Sequence, residues 1–107
     1  MTSTVRLGEV DAFPQGRGVS VEVGDLRIAV FRIDDAFHAI GDLCSHAEAS
    51  LAEGEVFEGE VECPRHGAEF SLTTGEPSSL PATAAVPVYE INVVDGDVML
   101  VIREEQL

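Results

Sequence analysis

Lysine is absent from this chain of 107 residues: all six of its cationic side chains are arginines, set against 20 acidic residues, and the formal charge is -14. A chain so charged has no cationic face for phosphate, which excludes nucleic acid as a partner and argues against an anionic membrane surface. Long apolar runs are missing too. The longest is the five residues Val98 to Ile102, whereas a bilayer-spanning helix needs roughly 20. Met1 to Leu7 contains no basic stretch leading into an apolar one, so no signal peptide is expected and the expected compartment is the cytoplasm. Cysteine is scarce, at two residues. Thiols stay reduced in the cytoplasm, so two cysteines placed close to histidines read as metal ligands rather than as a disulfide. The acidic surplus has two readings, steering toward a basic protein partner and plain solubility.

The length is that of one domain, residues 1–107, and the 45% hydrophobic content is enough for one packed core. Internal repeats, low-complexity tracts and interdomain linkers are absent, and no window of ten or more residues carries a 3.6-residue period. The pattern is instead one of short strands and tight turns. Val19, Val21 and Val23 alternate with Ser20 and Glu22, the period of a strand with one buried face. Gly24-Asp25 supplies a two-residue hairpin turn, and Leu26 to Ile33 returns as a largely apolar strand. Asp34-Asp35 interrupts it before Ala36 to Ile40 resumes. Val88 to Val94 alternates again, Asp95-Gly96 turns, and Asp97 to Ile102 comes back. Shorter strands are expected at Thr4 to Leu7, Glu55 to Glu58, Glu60 to Glu62 and Glu69 to Leu72. Pro77, Pro81 and Pro87 make Glu76 to Pro87 an extended loop. The fold class is therefore all-β, an antiparallel β-sandwich or small barrel. Residues 41–82 have the shortest strands and longest loops and form the expected site-bearing region, inserted in a β core of 1–40 and 83–107.

Both cysteines and two of the three histidines fall into short pairs, Cys44-Ser45-His46 and Cys63-Pro64-Arg65-His66, with sixteen residues between His46 and Cys63. Each pair puts a thiolate and an imidazole on one side of a turning loop. Two such loops facing each other can offer two sulfurs to one metal ion and two ring nitrogens to another. A single tetrahedral zinc with mixed ligands is also permitted by these residue types, although zinc fingers usually place their histidines on a helix and no helix is visible. A Cys44–Cys63 disulfide, and a reactive thiol in Cys63-Pro64-Arg65-His66, are the remaining readings; the latter needs a helix start in a βαβ setting. His38, in the strand Ala36 to Ile40, reads as a surface strand position.

The two pairs, with Gly67 after the second, resemble the Rieske family signature. Ala49-Ser50-Leu51-Ala52-Glu53-Gly54 is similar to the Leu-x-x-Gly stretch after the first ligand loop. Phe70-Ser71-Leu72-Thr73-Thr74-Gly75 is similar to the segment after the second, and Leu80-Pro81-Ala82 to the proline loop that covers the cluster. The resemblance implies a [2Fe–2S] cluster, one per chain, with Cys44, His46, Cys63 and His66 as ligands and no catalytic residues. Within the family the chain looks like the soluble ferredoxins of bacterial aromatic-ring dioxygenases. Respiratory Rieske subunits have two extra cysteines where this chain has Ala49 and Arg65, and hydroxyl donors where it has Ala68 and Phe70. Hydrogen bonds to sulfur stabilise the added electron, so their absence places the expected potential at the low end of the Rieske range, about -150 mV.

The implied role is one-electron transfer from a flavin-containing NAD(P)H reductase to a terminal oxygenase, by a monomeric carrier that is not itself an enzyme. A redox accessory to iron–sulfur assembly or to another cytoplasmic reductase keeps the cluster and changes the partner. A zinc-stapled interaction module changes both.

Overall fold

The computed structural model describes residues 2–34, 36–43, 49–64, 68–77 and 84–106. Among them the structure is nearly all β, with three single-turn 3-10 segments, Val10–Ala12, Leu51–Glu53 and Glu104–Gln106, as its only helical pieces. Among the described residues no helix is long and apolar enough to cross a membrane.

Six strands make the larger sheet: β1 (Thr2–Glu9), β2 (Gly18–Val23), β3 (Leu26–Ile33) and β4 (Ala36–Gly41), followed after a gap in sequence by two more. Between them come β5 (Val56–Phe57), β6 (Glu60–Glu62) and β7 (Glu69–Ser71), which form a separate three-stranded sheet in that order. The chain then returns to the larger sheet as β8 (Val88–Val94) and β9 (Asp97–Arg103), giving the order β1-β9-β8-β4-β3-β2. All pairings between these strands are antiparallel. The join between β4 and β8 is brief, Ala39 opposite Tyr89 and Ile40 opposite Val88, and is prolonged by a bond from the Gly41 N–H to the Pro87 carbonyl at 2.8 Å.

The turns have the backbone that their residues allow. Asp95 and Gly96 both take positive φ, 52° and 81°, as a tight hairpin between right-twisted strands requires. Glu58 and Gly59 do the same between β5 and β6, at 51° and 79°. That turn is why the strand expected over Glu55 to Glu58 is confined to Val56–Phe57.

The long apolar stretch in β3 has a tertiary explanation. Ile28 and Val30 point into one buried cluster with Phe13, Ala39, Tyr89, Val98, Leu100 and Ile102. Ala29 and Phe31 point the other way, into a second cluster with Ile40, Leu51, Val61, Cys63, Ala68, Phe70, Leu72 and Val86. Strands β3 and β4 are thus a wall with apolar packing on both faces, and a wall of that kind has no polar face to alternate with. His38 lies half-buried on β4 opposite Phe31, and its burial pushes the imidazole pKa below the usual value of 6.5.

Candidate metal centre

The second ligand pair begins on a hairpin. β6 and β7 pair through Glu60 with Ser71, Val61 with Phe70 and Glu62 with Glu69. One further rung follows, in which the Cys63 N–H donates to the Ala68 carbonyl at 2.6 Å. From Cys63 the chain reaches Ala68 through four residues, Pro64, Arg65, His66 and Gly67. Pro64 has no N–H to offer a ladder and stands exposed just past the last rung. Cys63 itself is a free thiol with no solvent exposure, as are its neighbours in the cluster Val61, Ala68 and Phe70 in exposure. This removes the disulfide reading for Cys63. Its setting between the paired strands β6 and β7 is not the βαβ setting that the thioredoxin-like reading needs.

The first ligand pair leaves from the end of β4. Its stem is hairpin-like: Leu43 bridges Ser50, and the Leu51 N–H donates to the Asp42 carbonyl at 2.6 Å. Leu51, wholly buried, belongs to the same cluster as Cys63 and Ala68, so the bases of both ligand loops share one apolar floor. Cys44, His46 and His66 lie outside the described residues, as do Arg65, Gly67 and the segment Leu80-Pro81-Ala82. Among the described site residues, then, the structure places Cys63 and brings the stems of the two loops together.

Two glycines fix the frame beneath these stems. A Cβ on Gly54 would run into the Glu62 carbonyl oxygen, one residue before Cys63, so the chain just after the 3-10 turn Leu51–Glu53 approaches the stem of the second loop too closely for any side chain. Gly75 has φ +74°, and a Cβ there would meet the Val86 carbonyl. Its own carbonyl accepts from the Val86 N–H at 2.9 Å, which ties the chain on either side of residues 78–83 together.

Among the described residues, the Ser50 hydroxyl has its proton committed elsewhere. Ser50 Oγ donates to Asp42 Oδ1 at 2.6 Å, and Ser71 Oγ accepts from the N–H groups of Thr73 and Thr74 at 3.2 Å. Ala68 and Phe70, the positions expected to lack a donor, are buried apolar residues. Asp42 is the functional candidate that sequence reasoning missed. It is wholly buried and accepts bonds from residues on β2, β3 and the loop exit. The partners on β2 and β3 lie 22 and 15 residues away, so no local signal marks it.

Two thiolates and two imidazoles suit an iron–sulfur pair with unlike ends, and a fully buried, apolar-lined Cys63 suits a cluster kept from water. The comparisons agree with that chemistry. The chain is 46% identical over 92 residues to the ferredoxin subunit of anthranilate 1,2-dioxygenase from Burkholderia cepacia, covering 86% of this chain and 85% of that one. It superimposes with a TM-score of 0.84 on a chain of the solved complex of reduced oxygenase and oxidised ferredoxin of carbazole 1,9a-dioxygenase, at 36% identity, covering 90% and 99% of the two. A putative NADH-dependent nitrite reductase small subunit from Mycobacterium tuberculosis gives a TM-score of 0.86 at 27% identity, covering 96% of this chain and 97% of that one. Residues 3–90 match the Rieske [2Fe-2S] domain, and with loop stems, donor types and fold in accord, the chain belongs to that family.

Proposed function

We propose that this protein is a one-electron carrier serving an aromatic-ring or related non-heme iron oxygenase, with electrons supplied by an NAD(P)H-dependent flavoprotein reductase. The single observation that carries the reading is the convergence of the two ligand-loop stems on one buried floor, with Leu51 from the first and Cys63 from the second in the same cluster. Cys44 and Cys63 would hold the cluster as thiolates, and His46 and His66 would hold it through ring nitrogens. When bound, a cluster with this ligand set takes up and returns one electron, on the histidine-held iron, in a potential range of roughly -150 to +300 mV. Ala68, Phe70 and Leu51 exclude water from the Cys63 side, and the commitment of the Ser50 proton to Asp42 supports a potential near the low end.

The carrier works as a monomeric single domain in the cytoplasm, with residues 41–82 as the cluster-bearing part, one cluster per chain and no catalytic group of its own. Leu43 is 49% exposed and Pro64 is exposed where the two loops leave the fold, which supports docking of a partner over this end. The charge of -14 supports steering toward a basic partner, and steering is checked by the fall of the electron-transfer rate as salt rises.

The test is purification from iron-replete cells. A red-brown protein with two irons and two acid-labile sulfides per chain, and a rhombic EPR signal on reduction, is the expected result. A colourless, iron-free but folded protein overturns it and leaves the zinc-stapled module. The likeness to a nitrite reductase small subunit favours one second reading, a redox accessory to another reductase. Recovery of an oxygenase with the tagged holoprotein supports the first reading, and recovery of a reductase without any oxygenase supports the second.

A further inference from the structure

Asp42 is the one buried polar or charged residue among the described residues, and it stands at the root of the first ligand loop. A carboxylate offers about four acceptor positions, and here four donors meet it. Oδ1 accepts from Ser50 Oγ at 2.6 Å and from the Ala52 N–H at 3.0 Å. Oδ2 accepts from Ser20 Oγ at 2.9 Å and from Arg27 Nη2 at 3.0 Å. The backbone of Asp42 is held as well: its N–H donates to the Arg27 carbonyl at 3.0 Å and its carbonyl accepts from Leu51 at 2.6 Å.

The two oxygens have different tasks. Oδ1 ties the start of the loop to its own exit, at Ser50 and Ala52. Oδ2 ties the loop to the larger sheet, at Ser20 on β2 and Arg27 on β3. The base of the loop is thus closed on itself and fixed to the larger sheet. Asparagine cannot do the same, because it has a single acceptor oxygen and its NH₂ would face donors. Nor is the buried charge a cheap way to add stability, since burying an ion costs several kcal/mol and is offset only by full pairing. Positioning explains why a carboxylate stands here.

We propose that Asp42 is a positioning residue for electron transfer: its carboxylate fixes the stem from which Cys44 and His46 leave, and so sets how the first loop presents its thiolate and imidazole. The inference rests on the reading of Cys44 and His46 as cluster ligands.

The test compares three variants with the wild-type holoprotein. Asp42→Asn removes both functions, Ser50→Ala cuts one of the two ties to the loop exit and leaves the Ala52 N–H, and Ser20→Ala cuts one of the two ties to the sheet. Bound iron and sulfide, the EPR g values of the reduced protein, the half-time of cluster loss to excess chelator and the thermal midpoint are measured for each. Asp42→Asn and Ser50→Ala are expected to shift the g values and to speed cluster loss about tenfold or more, the usual scale for losing an outer-shell partner. Ser20→Ala is expected to lower the thermal midpoint while leaving g values and cluster loss near wild type. Wild-type g values and loss rates in Asp42→Asn and Ser50→Ala, or equal shifts in Ser50→Ala and Ser20→Ala, overturn the proposal and make the network a general brace. If Asp42→Asn does not fold, the Ser50→Ala and Ser20→Ala pair decides. A wild-type protein without iron or sulfide refutes the ligand reading instead, before any variant is compared.

Discussion

The two sheets of this molecule are held together in different ways. The larger has strands of six to eight residues. Apart from the brief β4–β8 join, its ladders are long enough to fix the register many times over, and its core of Ile28, Val30, Leu100, Ile102 and neighbours is made of ordinary apolar side chains. The smaller has strands of two and three residues. Ladders that short are marginal by themselves in water, and the cluster under them includes a cysteine with other chemistry to do. The larger sheet is a scaffold; the smaller is a mount, stabilised from below by packing and, in the proposed function, from above by ligation.

Removing the ligation is the strongest way to break this comparison. Cys63→Ala is expected to abolish the visible spectrum and to strip amide-exchange protection from β5, β6 and β7 while β1, β8 and β9 keep theirs, because metal binding and local folding are coupled. Equal loss of protection in both sheets would mean that they fold as one unit and that the division fails.

Core truncation comes next. Phe70→Ala and Leu100→Ala remove wholly buried side chains from the two clusters and are expected to cost about 3–5 and 2–5 kcal/mol in urea unfolding. The sharper contrast is in colour: Phe70→Ala loosens the floor under Cys63 and bleaches faster in air, while Leu100→Ala keeps the wild-type spectrum until the protein unfolds. Gly54→Ala should follow, at about 1–3 kcal/mol, since the added methyl forces the Glu62 carbonyl away. Thermal melts and spectra of the loaded protein check whether that strain reaches the second ligand pair.

The smallest effect is expected at His38, on the wall common to both clusters. Its folded pKa is lowered by burial, so the unfolded chain binds its proton first as pH falls through 6.5. Stability is therefore expected to fall slightly below pH 6.5 on this account, until the folded pKa is passed. His38→Gln removes that part of the slope, which urea titrations at pH 7.5 and 5.5 would read. An unchanged slope would place His38 in water in the folded state.

Local chemistry was enough to read most strands. Gly24 and the Asp95-Gly96 pair take the positive φ values that hairpin turns need, and the alternation of β2 and the apolar run of β3 mark strands whose bounds the structure reproduces. The strand Thr2–Glu9 runs longer at both ends than its apolar residues indicate, because β9 supplies a partner along its whole length. The 3-10 turn at Leu51–Glu53 left no periodic signal, being a single turn. Asp42 looked like one more acid in a chain of 20 such residues.

Sequence by itself determined the all-β class, the hairpins and the donor types of the paired motifs, since each depends on neighbours a few residues apart. Only the tertiary structure decided that β3 and β4 face two cores, that Leu51 and Cys63 share a floor, and that one aspartate among many is buried with four donors. Those outcomes depend on contacts between segments 15 or more residues apart, such as Arg27 and Ser20 with Asp42. Burial turns a solvated acid into an anchor only where such distant donors arrive together.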